Sequence, residues 1–189
     1  MLNFAREFIL SPRSTGAIVP SSRGLAETIT RAAGVQRADT VVEFGSGTGV
    51  FTEQISKTIS PNTLFFALEI NPVFVCKTRE RCPGVTVYQA GACATGDYLR
   101  EHNRDSCDCI ISGLPWTLFS DQEQDRILEV TASVLREGGR FVTFSYLGVG
   151  LKRNGRRFRR VLPMHFRQVE TSRMVWRNLP PAYLYVCSK

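Results

Sequence analysis

The stretch Val41-Val42-Glu43-Phe44-Gly45-Ser46-Gly47-Thr48-Gly49-Val50 decides the fold. A compact apolar run enters three glycines in five positions, and a helical pattern begins at Val50. Strand, glycine turn and helix in that order form the first half of a βαβ unit. Glycines there let the backbone turn sharply and let a ligand approach where a Cβ would otherwise stand.

Working outward, the alternation continues. Helix is predicted over 50–59, strand over 63–70, helix over 72–81, short strand over 85–88 and strand over 107–112. A helix over 122–136 closes at Gly138-Gly139, and a strand follows over 140–146. Strands alternating with helices predict a largely parallel sheet covered on both faces. The end of the chain differs. Strand-like runs over 165–176 and 182–187 are joined by only five residues, too few for a crossover helix, so they should form an antiparallel hairpin. Upstream, helices are expected over 2–10 and from about Ser22 to Ala33, the second stopping at Gly34. This gives an N-terminal helical segment over 1–34 and an α/β domain over 35–189.

The chain has 189 residues, 43% of them hydrophobic, and carries a net charge of +7 from 24 Lys and Arg against 17 Asp and Glu. The excess favours an anionic partner, either nucleic acid or an acidic membrane surface. No secretory leader pattern opens it, and no apolar run approaches the ~18 residues of a membrane span. The six cysteines form no CxxC pair and no Cys/His cluster, so free thiols in a reducing cytoplasm and no metal site are expected. Cys107 and Cys109, two apart on a strand, should share a face.

The glycine spacing constrains the ligand. The dinucleotide fingerprint GxGxxG would need glycine at position 50, where Val50 stands. GxGxG instead lets the chain pass close to an adenosine-linked amino acid. Glu69 ends the next strand, ~20 residues on, where a carboxylate accepts from both ribose hydroxyls. Glu43 would attract a positively charged amino-acid end. Gly45, Ser46, Gly47, Thr48 and Gly49 would line the loop, with Ile70 beside Glu69. Gly91 and Ala92 lie in Gln89–Ala94, a stretch with no carboxylate; backbone groups, Gln89 or Asp97 are the candidates for the adenine end.

From about 41 to 187 the chain resembles class I S-adenosylmethionine-dependent methyltransferases. The resemblance implies a Rossmann-like, seven-stranded, mostly parallel sheet with a C-terminal antiparallel hairpin. It implies S-adenosyl-L-methionine as cofactor and S-adenosyl-L-homocysteine as product. Ser112-Gly113-Leu114-Pro115-Trp116 resembles the N/D/S-x-P-aromatic turn of enzymes that methylate amino nitrogen. By that likeness Ser112 borders the cofactor, Gly113 and Leu114 receive the amine, and the Trp116 ring packs against it.

Residues 11–23 and 175–182 are similar to segments of bacterial phospholipid N-methyltransferases. That similarity implies phosphatidylethanolamine as substrate, methylated toward phosphatidylcholine. It also implies a cytoplasmic protein held peripherally at the inner face of the membrane, with no obligate protein partner. In this reading Thr15, Ser21 and Ser22 cover the cofactor, Tyr146 borders the pocket, and Arg177 holds the lipid phosphate beside Asn178. Residues 2–10 form an amphipathic start, and Lys152-Arg153-Asn154-Gly155-Arg156-Arg157-Phe158-Arg159-Arg160 carries six cations and no acid, which suits anionic headgroups. The rival is an RNA adenine N6-methyltransferase, which a basic patch would serve equally well; such enzymes usually carry an added substrate-binding domain.

Overall fold

The computed structural model describes residues 22–189; the expected helix over 2–10, with Thr15 and Ser21, lies outside the described residues. The elements are α1 (Arg23–Ala33), β1 (Thr40–Phe44), α2 (Val50–Thr58), β2 (Leu64–Leu68), α3 (Pro72–Arg81), β3 (Thr86–Tyr88), α4 (Thr95–Glu101), β4 (Cys107–Ser112), α5 (Asp121–Val134), β5 (Leu135–Tyr146), α6 (Arg153–His165), β6 (Gln168–Thr171) and β7 (Ala182–Ser188). Local chemistry sets several ends. The Ser22 hydroxyl accepts the Leu25 N–H at 3.1 Å, and Gly34 stops α1 at φ 73°. Asn71 caps α3 with Pro72 in its first turn, and Ser120 with Glu123 forms a capping box on α5.

The seven strands lie in the order β3-β2-β1-β4-β5-β7-β6. β1 to β5 are mutually parallel, and β7 runs antiparallel between β5 and β6. The chain leaves β1 first toward β2 and β3, then returns to β4 on its other side. The carboxyl ends of β1 and β4 therefore flank the switch point where open α/β sheets bind ligands. One sheet face packs Val42, Phe44, Ile110 and Phe141 against α4, α5 and α6 through Leu99, Leu128, Phe158 and Leu162. The other packs Val41, Ile111, Val142 and Leu184 against α1 and α2 through Leu25, Ile29, Phe51 and Ile55.

Four local expectations change. β5 begins at Leu135 rather than Arg140, because Leu135 leaves the helix and pairs with Cys107; Gly138, at φ 72°, lies within the strand. The register shifts between Cys107 and Cys109, which sends these two thiols into opposite cores rather than onto one face. All six cysteines are free. The run over 165–176 contributes only a four-residue strand, since the preceding basic segment forms α6 and carries the helix to His165. Gly155, Phe158, Val161 and Leu162 give α6 its buried stripe, at helical spacing, while Arg153, Arg156, Arg159 and Arg160 face outward. Finally, α4 occupies a stretch to which no element was assigned.

Candidate active site

Strand ends bring the two sequence motifs together. The Gly45 N–H donates to the Leu68 carbonyl and the Gly113 N–H to the Phe44 carbonyl, both at 2.8 Å. The contact is close enough to exclude side chains: a Cβ on Gly113 would stand 2.7 Å from the Gly45 carbonyl oxygen, and one on Gly45 would stand 3.0 Å from Leu114 Cδ2. Gly45, Gly113 and Leu114 thus share one edge.

Within the loop, Gly45, Gly47 and Gly49 all have positive φ. Among the described residues a Cβ on Gly47 would meet nothing within 4 Å, so they leave the space over the middle of the loop open. Gly49 is pressed against Thr78 and Arg81 of α3. The Ser46 hydroxyl turns away from the open side, 3.0 Å from Thr78 Oγ1, and Thr78 in turn donates to the Gly47 carbonyl at 3.0 Å. Ser46 therefore holds the loop's shape with its side chain rather than reaching a ligand. The Thr48 carbonyl accepts from Arg81 at 3.4 Å.

Glu69 is bound back onto the same loop. One carboxylate oxygen accepts the Gly47 N–H and the other the Asn71 N–H, each at 2.9 Å. The carboxylate keeps lone-pair capacity for a ligand hydroxyl beyond these backbone donors. Burial raises the Glu69 pKa, against the backbone N–H groups of Asn71, Gly47 and Ile70. The Ala90 N–H donates to the Glu69 carbonyl at 3.1 Å, drawing the end of β3 alongside. A Cβ on Gly91 would lie 3.7 Å from Ile70 Cγ2, so Ile70 and Gly91 form one apolar edge beside Glu69, with Ala92 next in the chain. Asp97 pairs with Arg100 on the exposed side of α4, and Gln89 is exposed.

Glu43 is wholly buried. Thr52 of α2 donates to its Oε2 at 2.6 Å, and among the described residues Oε1 has no hydrogen-bond partner. Desolvation is the main reason its pKa is pushed up to about 8; Thr52 opposes the shift and the charge of Glu69 adds to it. A buried carboxylate oxygen without a donor is costly. That orphaned oxygen, the open space over Gly47 and the anchored Glu69 carboxylate fit a cationic amino acid joined to a ribose. Glu69 would take the ribose hydroxyls, the backbone of 45–49 the amino-acid end, and Ile70, Gly91 and Ala92 the adenine.

The Ser112–Trp116 turn is braced from behind. The Ser112 hydroxyl accepts the Leu114 N–H at 3.3 Å. Thr143 of β5 donates to the Ser112 carbonyl and accepts from the Trp116 indole N–H, both at 3.0 Å. Trp116 is 4% exposed. It stacks on Phe158 with ring centres 4.4 Å apart and meets Phe119 and Phe141 edge-on. The expectation that its ring faces the amine is therefore corrected: its faces are committed to the core, and it supports the turn from within. Gln124 and Asn154 complete the brace by donating to the carbonyls of Trp116 and Phe119.

Asn178 also has a different place from that expected. Its Oδ1 accepts the Ser22 N–H at 2.9 Å and its Nδ2 donates to the Pro180 carbonyl at 2.7 Å. Ser22 and Asn178 meet, but as a clamp joining α1 to the turn before β7, with both amide atoms of Asn178 engaged. Tyr146 ends β5, edge-on to Phe144. Arg177 is exposed on the turn before β7, at the same sheet end.

Sequence reasoning missed Thr52, Thr78, Thr143, Gln124 and Asn154. Thr143 lies 31 residues from Ser112 and Thr78 lies 32 from Ser46, so no local spacing could reveal these partners.

Comparison with known proteins agrees with this geometry. A family model described as a methyltransferase domain matches residues 41–139. An ornithine lipid N-methyltransferase from Singulisphaera acidiphila is 28% identical over 97% of this chain and 93% of its own. Among solved structures, the O-methyltransferase from Bacillus cereus in complex with SAH superposes with a TM-score of 0.73 at 13% identity, over 98% of this chain and 90% of that one. The N-methyltransferase NodS from Bradyrhizobium japonicum gives 0.71 at 13%, over 88% and 95%. At such identities the superpositions speak for the fold. With its glycine loop, the Glu69 carboxylate anchored on it and its seven-stranded sheet, the chain belongs to the methyltransferase-domain family and is a class I S-adenosylmethionine-dependent methyltransferase.

Proposed function

We propose that the protein methylates the primary amine of a membrane aminolipid, with ornithine lipid and phosphatidylethanolamine as the headgroups to compare. The observation that carries this reading is the match to the ornithine lipid enzyme. It runs over 97% of the chain and so includes the C-terminal segment beyond residue 139, where the general family model stops.

The cofactor supplies a methyl group on a sulfonium sulfur. A neutral amine would be needed to take up that methyl, with S-adenosylhomocysteine as the leaving product, so the amine would first lose its proton to solvent. The residues of the chain set the conditions. The Ser112–Leu114 backbone, held against Gly45, is the wall that orients the nitrogen. Partial desolvation at that wall lowers the pKa of an alkylammonium and raises its neutral fraction. Thr143 and Trp116 keep the wall from moving.

The test incubates the protein with methyl-labelled cofactor and, separately, vesicles containing ornithine lipid, vesicles containing phosphatidylethanolamine, and ribosomal RNA. Label is expected in at least one aminolipid. Label in RNA alone would overturn the reading. Among the described residues no helix is long and apolar enough to cross a membrane, so the lipid would have to be met at the surface.

A further inference from the structure

The end of the sheet that carries the acceptor turn also carries four large exposed apolar side chains on two neighbouring loops. Leu147 and Leu151, between β5 and α6, are 52% and 74% exposed; Trp176 and Leu179, before β7, are 71% and 76% exposed. Backbone contacts hold the loops together. The Leu147 N–H donates to the Pro181 carbonyl at 2.8 Å, the Val175 N–H to the Ala182 carbonyl at 2.7 Å, and Ala182 pairs with Tyr146. The turn at Gly150 packs against Gly155, so Leu151 stands over the start of α6.

Cations surround these tips. Lys152, Arg153, Arg156 and Arg177 are all exposed, and between residues 144 and 182 the only acid is Glu170. Arg157 is the exception among the arginines of α6, drawn inward by Asp121 and Asp125. α6 is also joined to the acceptor turn, because Phe158 stacks on Trp116 and Asn154 bonds the Phe119 carbonyl. Whatever the outer face of α6 rests on is therefore mechanically connected to the wall that receives the substrate.

We infer that Leu147, Leu151, Trp176 and Leu179 form a wedge that enters the interfacial layer of an anionic bilayer, while Lys152, Arg153, Arg156 and Arg177 contact its headgroup phosphates. Single exposed apolar residues are ordinary; four large ones on adjoining loops, whose own segments also carry four exposed cations, mark an interaction surface. The combination suits a bilayer, which offers anions at the surface and hydrocarbon below it. Tryptophan is at home at that boundary. RNA offers phosphates too, but three leucines have no base-stacking face to present to it. This inference rests on the aminolipid reading and gives it a geometry: docking by the wedge holds the acceptor turn at headgroup depth.

The chain has two tryptophans, Trp116 buried and Trp176 exposed, so quenching by brominated lipid reports on Trp176. Vesicles of phosphatidylglycerol and brominated phosphatidylcholine should quench the wild-type protein. The double variant Leu151→Ser, Leu179→Ser should bind them about 30-fold more weakly, as expected for two partly buried leucines. Its affinity for S-adenosylhomocysteine by calorimetry, and its turnover on a dispersed short-chain aminolipid, should not change. Wild-type fluorescence that stays unquenched, or a double variant that binds vesicles as the wild type does, would overturn the wedge. So would binding to RNA with none to vesicles. Turnover on the dispersed lipid is read separately, so a failed docking surface is distinguishable from a wrong substrate.

Discussion

The two ends of the molecule solve opposite problems. Around β1, β2 and β3 the chain turns its polar groups inward: Glu69 onto Gly47 and Asn71, Ser46 onto Thr78, Glu43 onto Thr52. Around β5, β7 and α6 it turns polar and apolar groups outward, leaving cations and large side chains exposed. A cofactor site must be rigid and shaped before the ligand arrives, because loosely held donors and acceptors give affinity back as ordering cost. A surface for an extended partner needs only charge and apolar reach. The Trp116–Phe158 stack joins the two regions.

Breaking that joint should give the largest effect. Trp116→Ala removes a buried ring and its bond to Thr143, at a cost of about 3–5 kcal/mol. Chemical denaturation should show stability and turnover falling together; a stable variant that lost turnover alone would return the ring to the substrate. Next comes the crossing of the two motifs. Gly113→Ala puts a Cβ 2.7 Å from backbone that cannot yield, and calorimetry should find S-adenosylhomocysteine binding weaker by roughly tenfold or more. Gly47→Ala meets no atom and should cost only the strain of its positive φ, about 1–2 kcal/mol. Equal losses from both would show that backbone strain, not the close approach, governs the site.

Asn178→Ala should cost about 1–2 kcal/mol by leaving the Ser22 N–H and the Pro180 carbonyl without their partner. Turnover on dispersed lipid, normalised to folded protein, should change little; a selective loss would restore Asn178 to the substrate site. Glu43 gives a pH signature. Its folded pKa, about 8, lies above its ordinary value of 4.5, so the folded protein binds the proton more tightly than the unfolded chain. The Glu43 contribution to the stability of the cofactor-free protein should be fully present below the ordinary pKa and be lost as pH rises toward about 8. Melting temperatures across this range should decline for the wild type and stay flatter for Glu43→Gln. The smallest effect belongs to the outer face of α6. Arg160→Ala should change stability by no more than ~0.5 kcal/mol, whereas Arg157→Ala, which loses Asp121 and Asp125, should cost about 1 kcal/mol.

The cofactor end was legible in the sequence because its signals are local. Glycines at fixed offsets, a strand on one side and a helix on the other, and an acid at the end of the next strand all lie within one βαβ unit. Ile70 and Gly91 lie against each other, each just beyond the end of a neighbouring strand. The acceptor turn was legible as a turn but not as a surface. Pro115 and Trp116 sit where the motif puts them, yet the direction of the indole was set by Thr143 and Phe158, 27 and 42 positions away in the chain. Asn178 misled similarly: a polar residue in a turn reads as available until Ser22, 156 residues earlier, is seen to occupy it.

By itself, the sequence determined the alternating α/β order, the reversal into an antiparallel end, the glycine loop with Glu69, and the cationic run over 152–160. Periodicity, turn chemistry and charge are properties of neighbouring residues, so a linear reading recovers them. The tertiary structure alone decided which side chains remain free to meet a ligand. It spent Ser46, Trp116 and Asn178 on internal partners, left one oxygen of Glu43 without one, and gathered Leu147, Leu151, Trp176 and Leu179 at a single edge. Those outcomes depend on contacts between strands and loops far apart in the chain, which packing of the whole sheet fixes and no local pattern encodes.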